Sequence, residues 1–158
     1  MARRRVRERG RGEREWPSIR AFRSLLAAQV VVVEAHRRHL EAAHGLAIGE
    51  FDMIAELGNT SGMRMGALGH KMITSPANVT RIVIQLEKRG WVTRRRAADS
   101  DREVLASLTP AGDAFFHMHF CEVVAFAGAP MESALSEEEL TLLAQLSQRI
   151  RKDARPPG

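Results

Sequence analysis

The segment from Ser75 to Gly90 constrains the fold more than any other part of the sequence, because it reads as one helix with a defined start and end. Ser75 before Pro76 is typical of a helix N-cap followed by proline at the first helical position. Gly90 is a typical helix stop. The apolar residues in between recur at i, i+3, i+4 and i+7, so they share one face and predict an amphipathic helix. They are Val79, Ile82, Val83 and Leu86.

The opposite face of this helix is polar, and a shorter helix is predicted just before it, from Met65 to Met72. Two short helices joined by a tight turn have the layout of a helix-turn-helix, whose second helix enters the major groove of DNA. Arginine can bond to guanine there, and asparagine or glutamine to adenine. A polar face is equally typical of a solvated surface, and Ile84 is also expected on it. The predicted DNA contacts here are Thr74, Ser75, Asn78, Thr80, Arg81, Gln85 and Lys88.

Two strand-length segments follow this helix and predict a β-hairpin beside it. Residues 91–96 and 103–109 are rich in β-forming residues, and residues 97–101 form a polar turn. Four arginines in one small hairpin repel one another unless an anion compensates them, and phosphate is the expected partner. The alternative is a solvated loop in which Asp99 and Asp101 neutralise part of the charge. The arginines, which are further predicted DNA contacts, are Arg94, Arg95, Arg96 and Arg102.

Long helices are predicted on both sides of this region. Residues 18–43 have apolar residues at three- and four-residue steps without Pro or Gly, and a shorter helix is expected at 48–57. Thr109 and Pro110 open a helix that should end near Gly128 and Pro130. Of the 158 residues 44% are hydrophobic and only 5% aromatic, which suits helix-on-helix packing. The fold class is therefore expected to be mostly α.

The last helix is predicted from Ser136, which has the capping-box spacing to Glu139. Its apolar residues form one stripe at helical spacing, namely Leu140, Leu143, Leu146 and Ile150. The expected architecture is a winged helix-turn-helix with a β-hairpin wing, plus a dimerisation region formed by the N- and C-terminal helices. The predicted divisions are a basic disordered arm at 1–17, the helical dimerisation region at 18–45 and 110–152, the winged helix-turn-helix at 46–109, and a frayed tail at 153–158.

The net charge of the chain indicates what kind of partner it binds. A formal net charge of +5 indicates an anionic partner, either nucleic acid or a membrane surface. Residues 2–15 hold seven arginines and three glutamates, which either contact DNA or are simply solvated. No apolar stretch approaches the roughly 18 residues of a transmembrane helix, and no signal-peptide pattern is present. Cys121 is the single cysteine, so no intrachain disulfide can form. We expect a cytoplasmic protein without membrane contact.

The region from Ser75 to Thr109 resembles the MarR family of bacterial regulators. The shared residues are Thr80-Arg81, Leu86-Glu87-Lys88-Arg89-Gly90, Arg102 and Leu108-Thr109-Pro110-Ala111-Gly112, and the likeness extends from about Ile19 to Lys152. The resemblance implies a homodimer whose first and last helices interlock, with two recognition helices about one DNA turn apart on a pseudo-palindrome. It also implies a repressor that releases DNA when a small ligand, often phenolic, binds. The family pattern has Asp where this chain has Ser100.

The effector is less well defined by the sequence than the DNA-binding part. Urate-responsive members of the family use a Trp, an Asp and two arginines, and Asp52, Arg81 and Arg94 stand at matching places. Trp16 lies closer to the first helix than the matching Trp does, and a packing role is the alternative for it. These four residues are the effector-binding hypothesis.

A metal site is a second hypothesis, and no cofactor is expected. His117 and Cys121 are four residues apart and so share a helix face, the spacing that zinc-binding members of the family use with two histidines. His36, His39 and His44 could complete such a site. A single cysteine on a helix is more typical of a small buried apolar residue.

These patterns predict a double-stranded DNA-binding transcriptional regulator that recognises a specific sequence. The expected protein is a ligand-responsive repressor, a homodimer on a pseudo-palindromic operator. The alternative is a winged helix that contacts protein or RNA and does not bind a specific duplex. An enzyme is not expected, because there is no glycine-rich phosphate loop, no paired carboxylates in an apolar context and no nucleophile motif.

Overall fold

The computed structural model describes residues 16–72, 74–97 and 100–153, without the side chains at 76 and 100–102. The predicted arm lies almost wholly outside these residues, as do residues 154–158 of the tail. The chain divides into two compact units, Met1–Ala35 and His36–Gly158, which are described separately. The described helices are α1 (Pro17–His44), α2 (Ile48–Gly58), α3 (Met65–Lys71), α4 (Pro76–Lys88), α5 (Pro110–Glu132) and α6 (Glu137–Asp153), and the strands are β1 (Met63–Arg64), β2 (Val92–Ala97) and β3 (Ser100–Leu108).

The predicted fold class is confirmed: the described chain is mostly helical with one small antiparallel sheet. None of the helices in the described ranges combines the length and the hydrophobicity that crossing a bilayer requires. The N-terminal unit contributes the first part of α1. The second unit contains the end of α1, the other helices and the sheet.

The sheet has the strand order β1-β3-β2, and β2 and β3 form the predicted hairpin. Val92 pairs with Leu108 and Arg94 with Ala106, so the register is antiparallel and places Arg94 and Arg95 on opposite faces. The register shifts between Arg96 and Ala97, and the hairpin turn is shorter than predicted because β3 already begins at Ser100. The two-residue strand β1 was not predicted, because two residues are too few to show a period.

The apolar face of α4 packs inward as its spacing predicted. Its four apolar residues, Val79, Ile82, Val83 and Leu86, are at most 3% exposed. They pack with buried residues of the neighbouring elements, among them Leu40, Leu46, Ile54, Leu57, Leu68 and Phe116. Because this core fixes the rotation of α4 about its own axis, the opposite face of the helix must point away from the core.

The predicted helix caps are confirmed at three places. The hydroxyl of Ser75 accepts a hydrogen bond from the Asn78 amide at the start of α4 (3.3 Å). At the start of α6, the Ser136 amide donates to Glu139 Oε2 (2.9 Å) and the Glu139 amide donates to Ser136 Oγ (3.3 Å), which completes the capping box. Gly45 ends α1 with a φ of 61°, the left-handed conformation expected of a glycine stop.

The prediction that α5 ends near Gly128 and Pro130 is wrong, because the helix continues to Glu132 with Pro130 inside it. A proline lacks the backbone donor and crowds the carbonyl four residues before it, but in this helix hydrogen bonding resumes directly after it. The Ser133 amide donates to the Ala129 carbonyl (3.0 Å) and the Leu135 amide to the Met131 carbonyl (2.9 Å). The last turn of the helix therefore tolerates the proline.

Thr109 joins the end of α4 to the start of α5. Its hydroxyl caps α5 by accepting from the Gly112 amide (3.2 Å), and it donates to the Gly90 carbonyl (2.6 Å). Its own amide donates to the Trp91 carbonyl (3.0 Å). Gly112 allows the first turn of α5 to lie against the backbone of Trp91, since a Cβ at Gly112 would lie 2.1 Å from the Trp91 carbonyl oxygen.

Thr109→Ala is expected to lower the free energy of unfolding by about 2 kcal/mol, since it removes an N-cap worth about 1 kcal/mol and a second hydrogen bond of similar size. Thr109→Ser keeps the hydroxyl and is the matched control. Urea unfolding at one fixed protein concentration measures the difference. Equal stability of Thr109→Ala and the wild type would show that the two hydrogen bonds of the Thr109 hydroxyl do not stabilise this junction.

Candidate nucleic-acid interface

The polar face of α4 is available to solvent. Arg81, Gln85 and Lys88 are exposed, as is Thr80, and Asn78 is half-buried. Ile84 lies on the same side and is 36% exposed, as its position predicted. The opposite face is fully used by the core, so these side chains form the outer surface of the second helix of a helix-turn-helix.

Four side chains on this surface form a continuous hydrogen-bonded chain, which we call the reading network: Thr74, Asn78, Arg81 and Gln85. The amide nitrogen of Asn78 donates to the Thr74 hydroxyl (2.6 Å). Arg81 donates to Asn78 Oδ1 through Nε (3.0 Å) and Nη2 (2.6 Å). It also donates to Gln85 Oε1 through Nη1 (3.2 Å). The network therefore orients an asparagine, an arginine and a glutamine side chain on this surface before any ligand is bound.

The arginines of the β2–β3 hairpin have different partners. Arg94 is held by Glu87 of α4, with Nη2 and Nε of the guanidinium 2.7 and 2.9 Å from Glu87 Oε2. This hydrogen bond raises the pKa of Arg94 above its ordinary value. Arg95 and Arg96 are exposed, and within the described ranges neither has an ion-pair partner. Arg94 thus fastens the hairpin to α4, and Arg95 and Arg96 remain as solvent-facing cations.

Other predicted features of the hairpin lie outside what the structure describes. Arg102 belongs to β3, but its side chain is not described. The same holds for Asp101 and for the whole of Asp99. The predicted phosphate contact of Arg102 and the alternative of internal pairing by the two aspartates therefore stay predictions.

Arg89 joins the end of α4 to the start of α2 through contacts that the sequence did not predict. Arg89 Nη2 donates to the Gly45 carbonyl (2.9 Å), and Arg89 Nε lies 3.7 Å from Glu50 Oε1. Glu50 is only 6% exposed and also accepts from the Ala47 amide (2.9 Å). In the sequence, the pairing with Arg89 was indicated only by the position of Glu50 in the first turn of α2, where the helix dipole favours a carboxylate.

Three residues of the effector hypothesis lie in the second unit and have separate environments there: Asp52, Arg81 and Arg94. Within the described part of the chain, Arg81 bonds to the reading network and Arg94 to Glu87, and Asp52 is not a partner of either. Burial, followed by the negative charge of Glu56, raises the pKa of the Asp52 carboxyl. Trp16 immediately precedes α1, and its carbonyl accepts from the first turn of that helix. Effector binding by these residues stays a prediction.

The histidines are arranged differently from the metal hypothesis. His117 lies 3.6 Å from Asp113, and Cys121 is exposed. His36 packs edge-on against Phe51, and burial lowers the pKa of its imidazole. The potential metal ligands that the described residues bring together are His39, His44 and Glu122.

The turn between α3 and α4, the outward polar face of α4 and the β2–β3 hairpin together define a winged-helix protein. Residues 46–104 match the model of the MarR family. The matched region contains the helix-turn-helix and the hairpin, and the chain is similar there to a family of transcriptional regulators. The prediction that it is not an enzyme is thereby confirmed.

Relatives in sequence support the same class. An uncharacterised HTH-type transcriptional regulator of Bacillus cereus is 25% identical over 107 residues, which are 68% of this chain and 71% of that protein. YhjH of Bacillus subtilis, also an uncharacterised HTH-type transcriptional regulator, is 30% identical over 86 residues, 52% of this chain and 49% of that protein.

Two similar solved structures contain DNA. A MarR family transcriptional regulator from Streptomyces coelicolor, in complex with DNA, has a TM-score of 0.81 at 20% identity and covers 92% of this chain and 94% of its own. A mutant MarR from E. coli, complexed with operator DNA, has a TM-score of 0.74 at 18% identity, with 84% and 94% covered. At these identities the likeness shows the fold.

Proposed function

We propose that this protein regulates transcription by binding a specific sequence of duplex DNA, with α4 in the major groove and the β2–β3 hairpin along the phosphate backbone. The observation that supports this most directly is the reading network on the outward face of α4. The two similar structures that contain DNA support it independently.

Base recognition is assigned to the middle of α4. Arg81 is suited to guanine and Asn78 or Gln85 to adenine, because each can form two hydrogen bonds to the base edge. The exposed Ile84 is suited to the methyl group of thymine, which explains an apolar residue on this face. On DNA the hydrogen bonds within the reading network are exchanged for bonds to bases, so the side chains are ordered at little further entropic cost.

Backbone contacts are assigned to the remaining predicted residues. Arg95 and Arg96 are exposed cations on opposite faces of the hairpin. Hydroxyl groups near the start of α4 come from Thr74, Ser75 and Thr80. Lys88 at the end of the helix adds one further cation. Arg94 contributes by holding the hairpin against α4 through Glu87. Such contacts fix the orientation of the protein without reading the sequence.

We further propose that the functional form is a homodimer. In the N-terminal unit, α1 exposes Phe22 by 58% and Val30 by 66%, and in the second unit α6 exposes Leu142 by 53% and Ile150 by 56%. Apolar surface of this extent is unusual for a monomer and is typical of an interface. A two-fold dimer places two copies of α4 on half-sites about one DNA turn, roughly 34 Å, apart, hence on a pseudo-palindrome.

Ligand-responsive repression is proposed on the family resemblance, and small phenolic compounds are the first effectors to test. The effector residues proposed are Asp52, Arg81, Arg94 and Trp16. A thermal-shift screen of phenolic compounds and urate against the pure protein tests this, because a ligand that binds the folded state raises Tm.

The central experiment selects DNA sites from a random duplex library and compares the selected duplex with random duplex, single-stranded RNA and no nucleic acid. We expect a selected sequence with two-fold symmetry and affinity at least about 10³-fold above random duplex. Equal affinity for all duplexes, or preference for RNA, would contradict the proposal and favour a winged helix with another partner.

Replacing Arg95 and Arg96 together with alanine is expected to flatten the salt dependence of binding to every duplex. Each phosphate contact contributes about 0.9 to the slope of log K against log salt, so the slope should fall by about 1.8 per protomer. Measurements at several salt concentrations on selected and random duplexes check this. The double variant Arg151→Ala, Lys152→Ala removes the same charge from the end of α6 and should leave the slope nearly unchanged. If both double variants have the wild-type slope, the hairpin does not contact phosphates.

A further inference from the structure

Two histidines near the end of α1 meet a carboxylate from α5. His39 Nε2 lies 2.6 Å from Glu122 Oε1, and His44 Nε2 lies 3.1 Å from Glu122 Oε2. The three ligand atoms that this group can offer all lie within 4.8 Å of one another. Glu122 is separated from the histidines by 83 and 78 residues in sequence, so the fold alone creates this group.

The two imidazole rings are held in place by aromatic neighbours. His39 stacks on Phe126 with ring centroids 3.8 Å apart. His44 packs edge-on against Phe115 at 5.5 Å, with the His119 ring at 4.7 Å on another side. The side chain of His44 is 8% exposed and that of Glu122 is 50% exposed. The nitrogen donors are therefore fixed and mostly shielded, and the carboxylate leaves the group open to solvent.

The carboxylate of Glu122 lies between the two imidazole nitrogens. When no metal is bound, each imidazole ring must donate a hydrogen bond to the carboxylate, because an ionised carboxylate can only accept.

We propose that His39, His44 and Glu122 bind a transition-metal dication of the zinc class. Two imidazole nitrogens and one carboxylate oxygen form a ligand set that zinc accepts, with the fourth position open to water. Bonds of about 2.0–2.2 Å to zinc place tetrahedral ligand atoms about 3.3 Å apart. His39 Nε2 and Glu122 Oε1, now 2.6 Å apart, therefore have to separate by about 0.7 Å, and His44 Nε2 and Glu122 Oε2, now 3.1 Å apart, by about 0.2 Å. Imidazole donors disfavour Mg²⁺ and Ca²⁺, which prefer oxygen ligands.

The site does not depend on the proposed DNA binding and differs from the predicted pair His117 and Cys121. Its ligand His44 lies one residue before Gly45, whose carbonyl accepts a hydrogen bond from Arg89 at the end of α4. A bound metal would therefore fix the end of α1 to α5, next to the point at which Arg89 holds the end of α4. This predicts a gain in stability of the folded protein, whether or not the protein binds DNA.

The test uses the full-length, tag-free protein. Titration with Zn²⁺ alone should show one saturable site per chain, and Mg²⁺ should not compete. Co²⁺ as a probe should give the visible absorption of a tetrahedral nitrogen and oxygen site without the near-ultraviolet band of a cobalt–thiolate bond. A thiolate band would identify Cys121 as a ligand and overturn the proposal.

Variants locate the site within the chain. His39→Gln, His44→Gln and Glu122→Gln should each weaken Zn²⁺ binding by at least about tenfold, since loss even of an outer-shell partner costs 10- to 100-fold. His117→Gln on the same helix as Glu122 is the matched control and should bind as the wild type does.

Folding of the variants is separated from metal binding by thermal unfolding with and without Zn²⁺. Wild type and His117→Gln should gain Tm on adding Zn²⁺, and the three ligand variants should not. The proposal is wrong if the wild type shows no saturable binding and no gain in Tm, or if all three ligand variants bind like the wild type.

Discussion

Leu143→Asp is expected to convert the proposed dimer into monomers. Leu143 is 38% exposed on α6, in a stripe with Leu146 (38%) and Ile150 (56%). Burying a leucine side chain stabilises an interface by about 1.5–3 kcal/mol, and an unpaired buried carboxylate costs further energy. Because the interface of a two-fold dimer contains the substitution twice, the dissociation constant should rise by roughly 10³-fold or more.

Sedimentation or sizing with light scattering at several protein concentrations measures this effect. Gln148→Asp is the matched control, because it adds the same charge on the opposite side of α6 from Leu143. Circular dichroism should show that both variants remain helical. A Leu143→Asp protein that stays dimeric at the concentrations where the wild type does would place the interface elsewhere.

Arg81→Ala is expected to weaken binding to the selected DNA site by about 10- to 100-fold, and binding to random duplex much less. A good two-bond contact to guanine is worth about 1–3 kcal/mol of discrimination, and each 1.4 kcal/mol is a factor of ten. The same substitution removes the donor that holds Asn78 and Gln85, so part of the loss should come from these neighbours.

Arg81→Lys separates charge from geometry. Lysine keeps the charge but lacks the planar fork that bonds to two acceptors. Random duplex should therefore be bound as tightly as by the wild type, and the selected site should still be bound more weakly. If Arg81→Ala weakens both kinds of duplex equally, Arg81 is a backbone contact and the bases are read elsewhere.

The features that the sequence predicted well are local ones. The cap at Ser75, the apolar face of α4 and the Ser136–Glu139 capping box each depend on residues within a few positions of one another, so spacing alone reveals them. The error at Pro130 has the same origin: local rules favour a break at proline but do not include the hydrogen bonds that resume after it.

The features that the sequence did not predict are long-range pairings. Glu87 with Arg94 and Glu50 with Arg89 join charged residues on different elements, and nothing in their spacing distinguishes them from solvated side chains. The His39–His44–Glu122 group is a stronger case, since its partners are about eighty residues apart. The metal hypothesis placed these two histidines with His117 and Cys121, because periodicity shows which residues share a helix face and not which helices meet.

The reading network has a consequence for how the proposed DNA specificity can change. Because Asn78 accepts from Arg81 and donates to Thr74, a substitution at one of these positions alters the orientation of the others. Their effects on operator choice should then be strongly non-additive. A change to a new operator should therefore require simultaneous substitutions within the reading network. Ile84 is not part of the hydrogen-bonded chain, so single substitutions at Ile84 should act independently of the others.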